Sequence, residues 1–274
     1  MSAKQQSEYQ YLSQLLDAAL ATGDAAPLEA YLREHSGLPG PRLNLALAAA
    51  FAETVGAVVS EPHPPVEQLE KLLDGWAALS LADAPVNNPR EMLPATALLT
   101  YGQVAVARPD WWSDEIGKLR RGASDGRWRA RELVATALQR MLAADWPRTL
   151  DALAGWARAN DPLVVRAAVA ASAEPPLLTS PERGREALAI LALALDTLAA
   201  LPAEQRRAEP ARVLRQALGY AVSVATVAAP DEGFALLARL AQSGDADLHW
   251  IARENLKKRR LARWPEQIAA VRLA

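Results

Sequence analysis

The string WRARE at residues 128–132 recurs as WIARE at residues 250–254, 122 positions downstream. Two weaker copies lie between them, DPLVVRAAVAA at 161–171 and EPARVLRQALGYA at 209–221. Each copy has an acidic residue five or six positions ahead of an arginine. The four pairs are Asp125 with Arg131, Asp161 with Arg166, Glu209 with Arg215, and Asp247 with Arg253. The arginines are 35, 49 and 38 residues apart, close to the ~40–47 residues of two-helix repeats. The spacing predicts a repeated helical unit.

A helical pattern of apolar residues follows each arginine. Within 128–142, apolar residues recur at steps of three and four, which is typical of one amphipathic helix. A second segment follows each copy and opens near a proline, which the first turn of a helix tolerates because its missing N–H would be unpaired there. These second segments are 147–159, 181–201, 230–244 and 265–273. Each copy therefore predicts a pair of helices.

The N-terminal part follows the same rhythm without the arginine. Its candidate helices are 5–22, 26–35, 42–59, 65–80, 90–107 and 111–122. No stretch alternates in the manner of a strand, and each amphipathic pair leaves an apolar face for a neighbour to cover. We therefore predict an all-α fold, an α–α superhelix (solenoid) of about six pairs in a single domain over 1–274. Residues 1–122 form its acidic N-terminal repeats, and 123–274 form the Asp/Arg-marked repeats.

The repeated acids and arginines have a structural interpretation. An acidic residue at a helix N-terminus can cap free N–H groups, and an arginine about one turn inside can reach an acid on the adjoining repeat. This interpretation makes Arg131, Arg166, Arg215 and Arg253 structural residues. The pattern resembles the HEAT family of armadillo-like repeats, in which an aspartate and an arginine recur in each repeat, and the resemblance covers mainly residues 125–264.

Composition limits the classes of protein and of site. The chain has 274 residues and no cysteine, which excludes disulfides and thiolate chemistry and suits a reducing cytoplasm. The polar N-terminus has no signal-peptide pattern, and the most apolar run, 187–203, contains Asp196 and many alanines, so we expect a buried helix there. Residues 1–114 carry 6 Lys/Arg against 14 Asp/Glu, a net charge of −8, whereas the remainder carries 24 against 18, or +6. That asymmetry fits either a polyanion-binding face or an ordinary solvated surface.

A second, weaker resemblance is to the bacterial alkylpurine DNA glycosylases, the HEAT-like DNA alkylation repair branch. It implies a cleft with a tryptophan, a carboxylate four residues on, an arginine one repeat later and a further aromatic residue. The matching positions are Trp128, Glu132, Arg166 and Tyr220. In this interpretation Glu132 is catalytic and the other three bind the substrate, with Arg129 in the basic cluster beside them.

These residue types suit that chemistry. Residues four apart share a helix face, an aromatic ring attracts a cationic base, a carboxylate stabilises a positively charged sugar, and an arginine holds a phosphate. The alternative remains that Arg166 serves the repeat and that the tryptophans and Glu132 pack structurally. Of the adjacent indoles in WWSDE (111–115), one would pack and the other, such as Trp112, could bind a partner.

The remaining patterns carry less chemistry. The run KKRRLAR at 257–263 fits either the polar cap of a terminal repeat or a nucleic-acid contact. Three separated histidines give no metal pattern, and no phosphate-binding loop or cofactor motif occurs. The sequence favours a non-catalytic binding or scaffold protein with a concave surface for a protein or peptide partner, without membrane, metal or cofactor. The alternative is a DNA-binding protein or an alkylpurine glycosylase.

Overall fold

The computed structural model describes residues 3–273, with side chains for residue 6 and residues 9–273. Within this range all regular elements are helical: fifteen α-helices, three short 3₁₀ turns and no strand. The all-α prediction is confirmed. The α-helices are α1 (Ala3–Thr22), α2 (Ala26–Glu34), α3 (Leu45–Val59), α4 (Val66–Ala77), α5 (Met92–Ala107), α6 (Trp112–Gly122), α7 (Trp128–Ala144), α8 (Trp146–Trp156), α9 (Pro162–Ser172), α10 (Pro181–Ala200), α11 (Ala203–Arg206), α12 (Glu209–Ala228), α13 (Pro230–Ala241), α14 (Ala246–Leu256) and α15 (Pro265–Leu273).

Most helix starts follow from local chemistry. Asp161 and Ser180 accept hydrogen bonds from backbone N–H groups at the starts of α9 and α10, each of which has proline as its first residue. The helix expected at 42–59 begins later, at Leu45, because the side chain of Asn44 caps it through the N–H of Leu47 at 3.1 Å. Among the described residues, no helix combines the length and hydropathy that crossing a bilayer requires.

The helix count differs from the expected six pairs. Fourteen of the described helices have nine or more residues, two more than six pairs would use. The short α11 lies between α10 and α12, both of which run for 20 residues. These lengths account for the long interval between Arg166 and Arg215, because one copy contains an additional short helix and longer flanking helices.

The chain divides into two compact units, Met1–Ala144 and Asp145–Ala274. In the first unit, α3, α5 and α7 pack side by side, α1 packs on α3, and α2, α4 and α6 pack against α5. Helix α5 is buried along most of its length. Gly102 lets α7 approach it closely, because a Cβ there would lie 2.6 Å from the Cβ of Ala137.

The second unit has a similar order of neighbours. Helices α9, α12 and α14 pack in succession, α10 packs on α9 and α12, and α13 packs on α12, α14 and α15. Asn255 of α14 is fully buried and joins α14 to α12: its Nδ2 donates to the carbonyl of Leu218 at 2.8 Å, and its Oδ1 accepts from the N–H of Ser223 at 2.7 Å. Each unit thus packs helices against neighbours close in sequence. One continuous superhelix over the whole chain stays a prediction.

Candidate functional site

The structure supports the predicted link between copies most directly in the second unit. Arg215 on α12 donates to Oδ1 of Asp247 on α14 at 2.7 Å. Asp161 caps α9, its Oδ1 accepting from the N–H of Leu163 at 2.9 Å. An arginine of one copy therefore reaches the acid of the next, as the structural interpretation expects. Arg166 is half-buried on α9.

Other acids and arginines of the copies have different contacts. Glu209 lies inside the first turn of α12, which has no side-chain cap. Asp245, and not Asp247, caps α14. The cap of α14 is therefore Asp245, which lies immediately ahead of the first turn, where its carboxylate accepts two N–H groups. Arg253 is 59% exposed and pairs only loosely with the adjacent Glu254, at 3.9 Å.

In the first copy, Asp125 pairs with a different arginine from the one expected. Its carboxylate accepts from Nε and Nη2 of Arg127, at 2.8 and 2.6 Å. Nη1 of Arg131 donates at 2.7 Å to the backbone carbonyl of Asp125. Arg131 therefore fixes the turn ahead of its own helix, in addition to any role between repeats.

The two tryptophans of the repeated string occupy different environments. Trp250 packs across α12: its ring lies 2.9 Å from where a Cβ on Gly219 would be, and the guanidinium of Arg215 lies 4.4 Å from its centre. Trp128, at the first position of α7, is 47% exposed. The guanidinium of Arg129 lies 4.5 Å from its ring centre. The same string therefore gives one packed indole and one exposed indole.

Arg129 was expected to bind a partner, and the structure gives it a different place. Its side chain is buried, with Nη1 donating to Oε2 of Glu91 at 3.2 Å and Nη2 to the carbonyl of Gly40 at 2.8 Å. Nη2 also donates to Oδ1 of Asn87 at 3.4 Å. Glu91 is fully buried, so the pair stays in a water-poor environment. Arg129 thus connects the start of α7 to the segments around Gly40 and Asn87, and its guanidinium packs against the ring of Trp128.

Arg127 adds a second buried arginine to this framework. Its Nη2 donates to the carbonyl of Leu79 at 2.9 Å and its Nη1 to that of Ala84 at 3.4 Å. The segment 79–88 is therefore held against the start of α7 by guanidinium groups. These hydrogen bonds from buried guanidinium groups to backbone carbonyls restrict the movement of the segment 79–88 and of Gly40.

Three exposed apolar side chains belong to the segments that Arg127 and Arg129 join, and we call Leu81, Val86 and Trp128 the anchor surface. Leu81 lies beside Gly126, because its Cδ1 would be 2.7 Å from a Cβ there. Val86 precedes Asn87, whose Oδ1 also accepts from the N–H of Gly40 at 3.0 Å. All three are large apolar side chains, and removing them from water in a complex would be favourable.

The other predicted site residues are distributed over both units. Glu132 is half-buried one turn after Trp128 on α7, and its carbonyl accepts from Oγ1 of Thr136 at 3.1 Å. Trp112 is half-buried at the start of α6. Arg166 and Tyr220 belong to α9 and α12 of the second unit, where Tyr220 is exposed. The structure thus places Trp128 and Glu132 on one helix, and convergence of the full set stays a prediction.

A cluster of titratable side chains in the first unit was missed at the level of sequence. Glu115 is 3% exposed and its Oε1 accepts from Nζ of Lys118 at 3.0 Å. The same ammonium lies 3.3 Å from Oε1 of Glu70 and 3.7 Å from Oδ1 of Asp74. Tyr101, also buried, donates its hydroxyl to Asp74 at 2.6 Å. The ammonium of Lys118 therefore forms ion pairs with three carboxylates.

The protonation of this cluster follows first from the burial of Glu115. Burial raises the pKa of Glu115 to about 7, against the opposing effect of Lys118. Burial alone would lower the pKa of Lys118, but the three surrounding carboxylates raise it. Burial, and then the hydrogen bond to Asp74, raise the pKa of Tyr101. Glu115 is therefore the carboxyl that takes a proton near neutral pH.

A sequence signal for this cluster exists in retrospect. Glu115 and Lys118 are three apart on α6, and Glu70 and Asp74 are four apart on α4, so each pair shares a helix face. Which helix faces meet is a matter of tertiary packing. No group of three or more His, Asp or Glu among the described residues is arranged to hold a metal ion, and in this cluster the central cation is an ammonium.

Comparison with known proteins gives no family: the chain matches no protein-family model and no curated protein.

The two copies of the tryptophan should respond differently to truncation. Trp250→Ala should lower the free energy of unfolding by about 2–3 kcal/mol, because it removes the ring packed on α12. Trp128→Ala should cost less than about 1 kcal/mol, because only one exposed cation–π contact is lost. Urea unfolding followed by circular dichroism measures both, and equal losses would contradict the distinction between a packed and an exposed indole.

The buried carboxyl should make stability fall as pH rises. With a folded-state pKa near 7 and an ordinary value near 4.5 in the unfolded chain, the folded state retains its proton between these pH values while the unfolded state loses it. The stabilisation is complete below pH 4.5 and is lost as pH rises through 7. Glu115→Gln should therefore gain about 3 kcal/mol relative to the wild type between pH 4.5 and 8.

The control for this prediction is Glu70→Gln, which removes an exposed carboxylate of the same cluster. It should follow the wild-type pH dependence. A constant stability difference between Glu115→Gln and the wild type over this pH range would show that Glu115 is ionised throughout.

Proposed function

We propose that the chain is a HEAT-like helical-repeat binding protein without catalytic activity, and that its anchor surface docks a segment of another protein. One observation carries the proposal: Trp128 is exposed although its counterpart Trp250 is packed. A cysteine-free chain of this kind suits a reducing compartment such as the cytoplasm.

The anchor surface has the physical features of an interaction hot spot. Large aromatic side chains contribute most of the binding energy in many interfaces, and they contribute best when they are already held in position. Arg129 stacks on Trp128 and is itself fixed by Glu91 and Gly40. Docking on a surface supported in this way loses little conformational entropy.

Charge favours a partner segment that is both apolar and basic. The first unit carries 13 Lys/Arg against 17 Asp/Glu, a net charge of −4. Asp83, two residues from Leu81, is exposed, and the hydrogen bond from Ser80 lowers the pKa of its carboxyl. The occupant we propose is a peptide segment with apolar side chains for Leu81 and Trp128, flanked by lysine or arginine.

The test is selection of peptides from a displayed random library on the purified wild-type chain. We expect the enriched peptides to combine apolar residues with lysine or arginine, and Trp128→Ala to weaken their binding at least tenfold, measured by fluorescence anisotropy. The matched control is Trp111→Ala, which removes another indole of the first unit, one that stacks on Arg108. Peptides that bind Trp128→Ala as tightly as the wild type would overturn the proposal.

A second candidate function follows from the resemblance to the alkylpurine glycosylases. It is favoured by the position of Trp128 and Glu132 on adjacent turns of α7, because an exposed indole beside a carboxylate suits a cationic base. The resemblance also assigns Arg166 and Tyr220 to substrate binding, and in this function DNA replaces the peptide as partner.

The two functions are separated by an assay for release of alkylated bases from methylated duplex DNA. We expect no release by the wild type, and no binding to duplex DNA that weakens by orders of magnitude between 50 and 200 mM salt. Base release by the wild type that Glu132→Gln abolishes would establish the second function in place of the first. Release unaffected by Glu132→Gln would establish DNA chemistry with a different carboxylate.

A further inference from the structure

A cavity of about 530 Å³ lies between the last helices of the second unit. Helix α14 supplies one wall, α15 faces it through Val271 and Arg272, and Ala241 at the end of α13 contributes the base. The volume lies within the range of small-molecule sites. The cavity is independent of the anchor surface, which belongs to the first unit.

Two parallel rows of side chains on α14 give this cavity its character. Arg253 and Lys257 line it four residues apart and form a cationic row, and the imidazole of His249 lies one turn before them. Ala252 and Leu256, also four apart, form an apolar row beside it. At 1.5 Å per residue each row extends for about 6 Å. The wall is therefore basic along one edge and apolar along the other.

Helix α15 also contributes one apolar and one basic side chain to the lining of the cavity. Val271 is buried and faces the apolar side of the cavity, whereas Arg272 is exposed and adds a further cation. None of the residues that line the cavity is acidic. The carboxylate of Glu254 accepts from Nζ of Lys257 at 2.6 Å and lies 3.9 Å from Nε of Arg253. The cations outnumber this single acid.

We propose that this cavity binds a small anionic amphiphile, a molecule with a phosphate or carboxylate head and a short apolar body. Arg272 and Arg253 hold the head, since guanidinium groups form charge-assisted hydrogen bonds with oxyanions. The apolar body lies along Ala252 and Leu256 and is removed from water by Val271. A purely polar anion makes no use of the apolar row, and a neutral amphiphile makes no ionic contact with Arg253 or Arg272.

The experiment uses the full chain and isothermal titration calorimetry below the micelle concentration of each probe. Octyl phosphate or octanoate should bind at least tenfold more tightly than inorganic phosphate and than octyl glucoside. The arm that binds more tightly identifies the head group. Binding of octyl glucoside equal to that of both anionic probes, or of inorganic phosphate equal to that of octyl phosphate, would overturn the proposal.

Variants locate the site within the chain. Arg272→Ala and Arg253→Ala should each weaken binding at least tenfold, and because both side chains are exposed the variants should keep the wild-type circular dichroism spectrum. Ala241→Phe should block the base of the cavity with the charges unchanged. The matched control is Arg260→Ala, an exposed cation outside the cavity, which should bind as the wild type does. Unchanged affinity in both arginine variants and in Ala241→Phe would place any binding elsewhere and refute the assignment.

Discussion

An amphipathic helix rich in alanine cannot bury its apolar face alone, and both units of this protein depend on that constraint. In the first unit α5 gains most of its cover from α3 and α7, and in the second α12 packs against α9, α10 and α14. Small side chains allow this close packing. Where Gly102 meets Ala137, and where Gly219 meets the ring of Trp250, no room remains for another carbon atom. The two proposed binding sites, the anchor surface and the cavity beside α14, include side chains that this packing leaves exposed.

Polar side chains decide how the packed helices are joined to one another and to the loops. Arg215 and Asn255 connect α12 to α14 in the second unit, one through an ion pair and one through buried amide hydrogen bonds. In the first unit, Arg127 and Arg129 connect a helix start to loops instead. Arginine suits both tasks because its planar group has five donors and can satisfy several carbonyl or carboxylate oxygens together.

Local features of this fold were predictable from the sequence, and contacts between distant segments were not. Proline positions and three- and four-residue periodicity located nearly all the long helices, including α9 and α10, which begin at proline. The link from Arg215 to Asp247 was also anticipated as a class of contact. The burial of Arg129 was not, because its partners Glu91 and Gly40 lie 38 and 89 residues away in the chain.

The candidate sites show the same limit. Trp128 and Trp250 are indistinguishable in sequence, and their different exposure depends on whether a glycine such as Gly219 faces the ring. The cluster around Glu115 depends on α4 and α6 facing each other, which periodicity within one helix does not specify. The two rows on α14 were present in the sequence as four-residue spacings, but only the position of α15 turns them into a cavity.

The guanidinium of Arg127 also constrains how the segment 79–88 could vary. Loops usually accept inserted residues, because their backbone groups face water and can find other partners there. Here the carbonyls of Leu79 and Ala84 are both held by one planar group. Lengthening the segment between them by a single residue would move one acceptor out of reach and leave a buried N–H donor of Arg127 unpaired. This connection behaves as a fixed-length spacer, and related chains should differ here in residue type far more readily than in residue number.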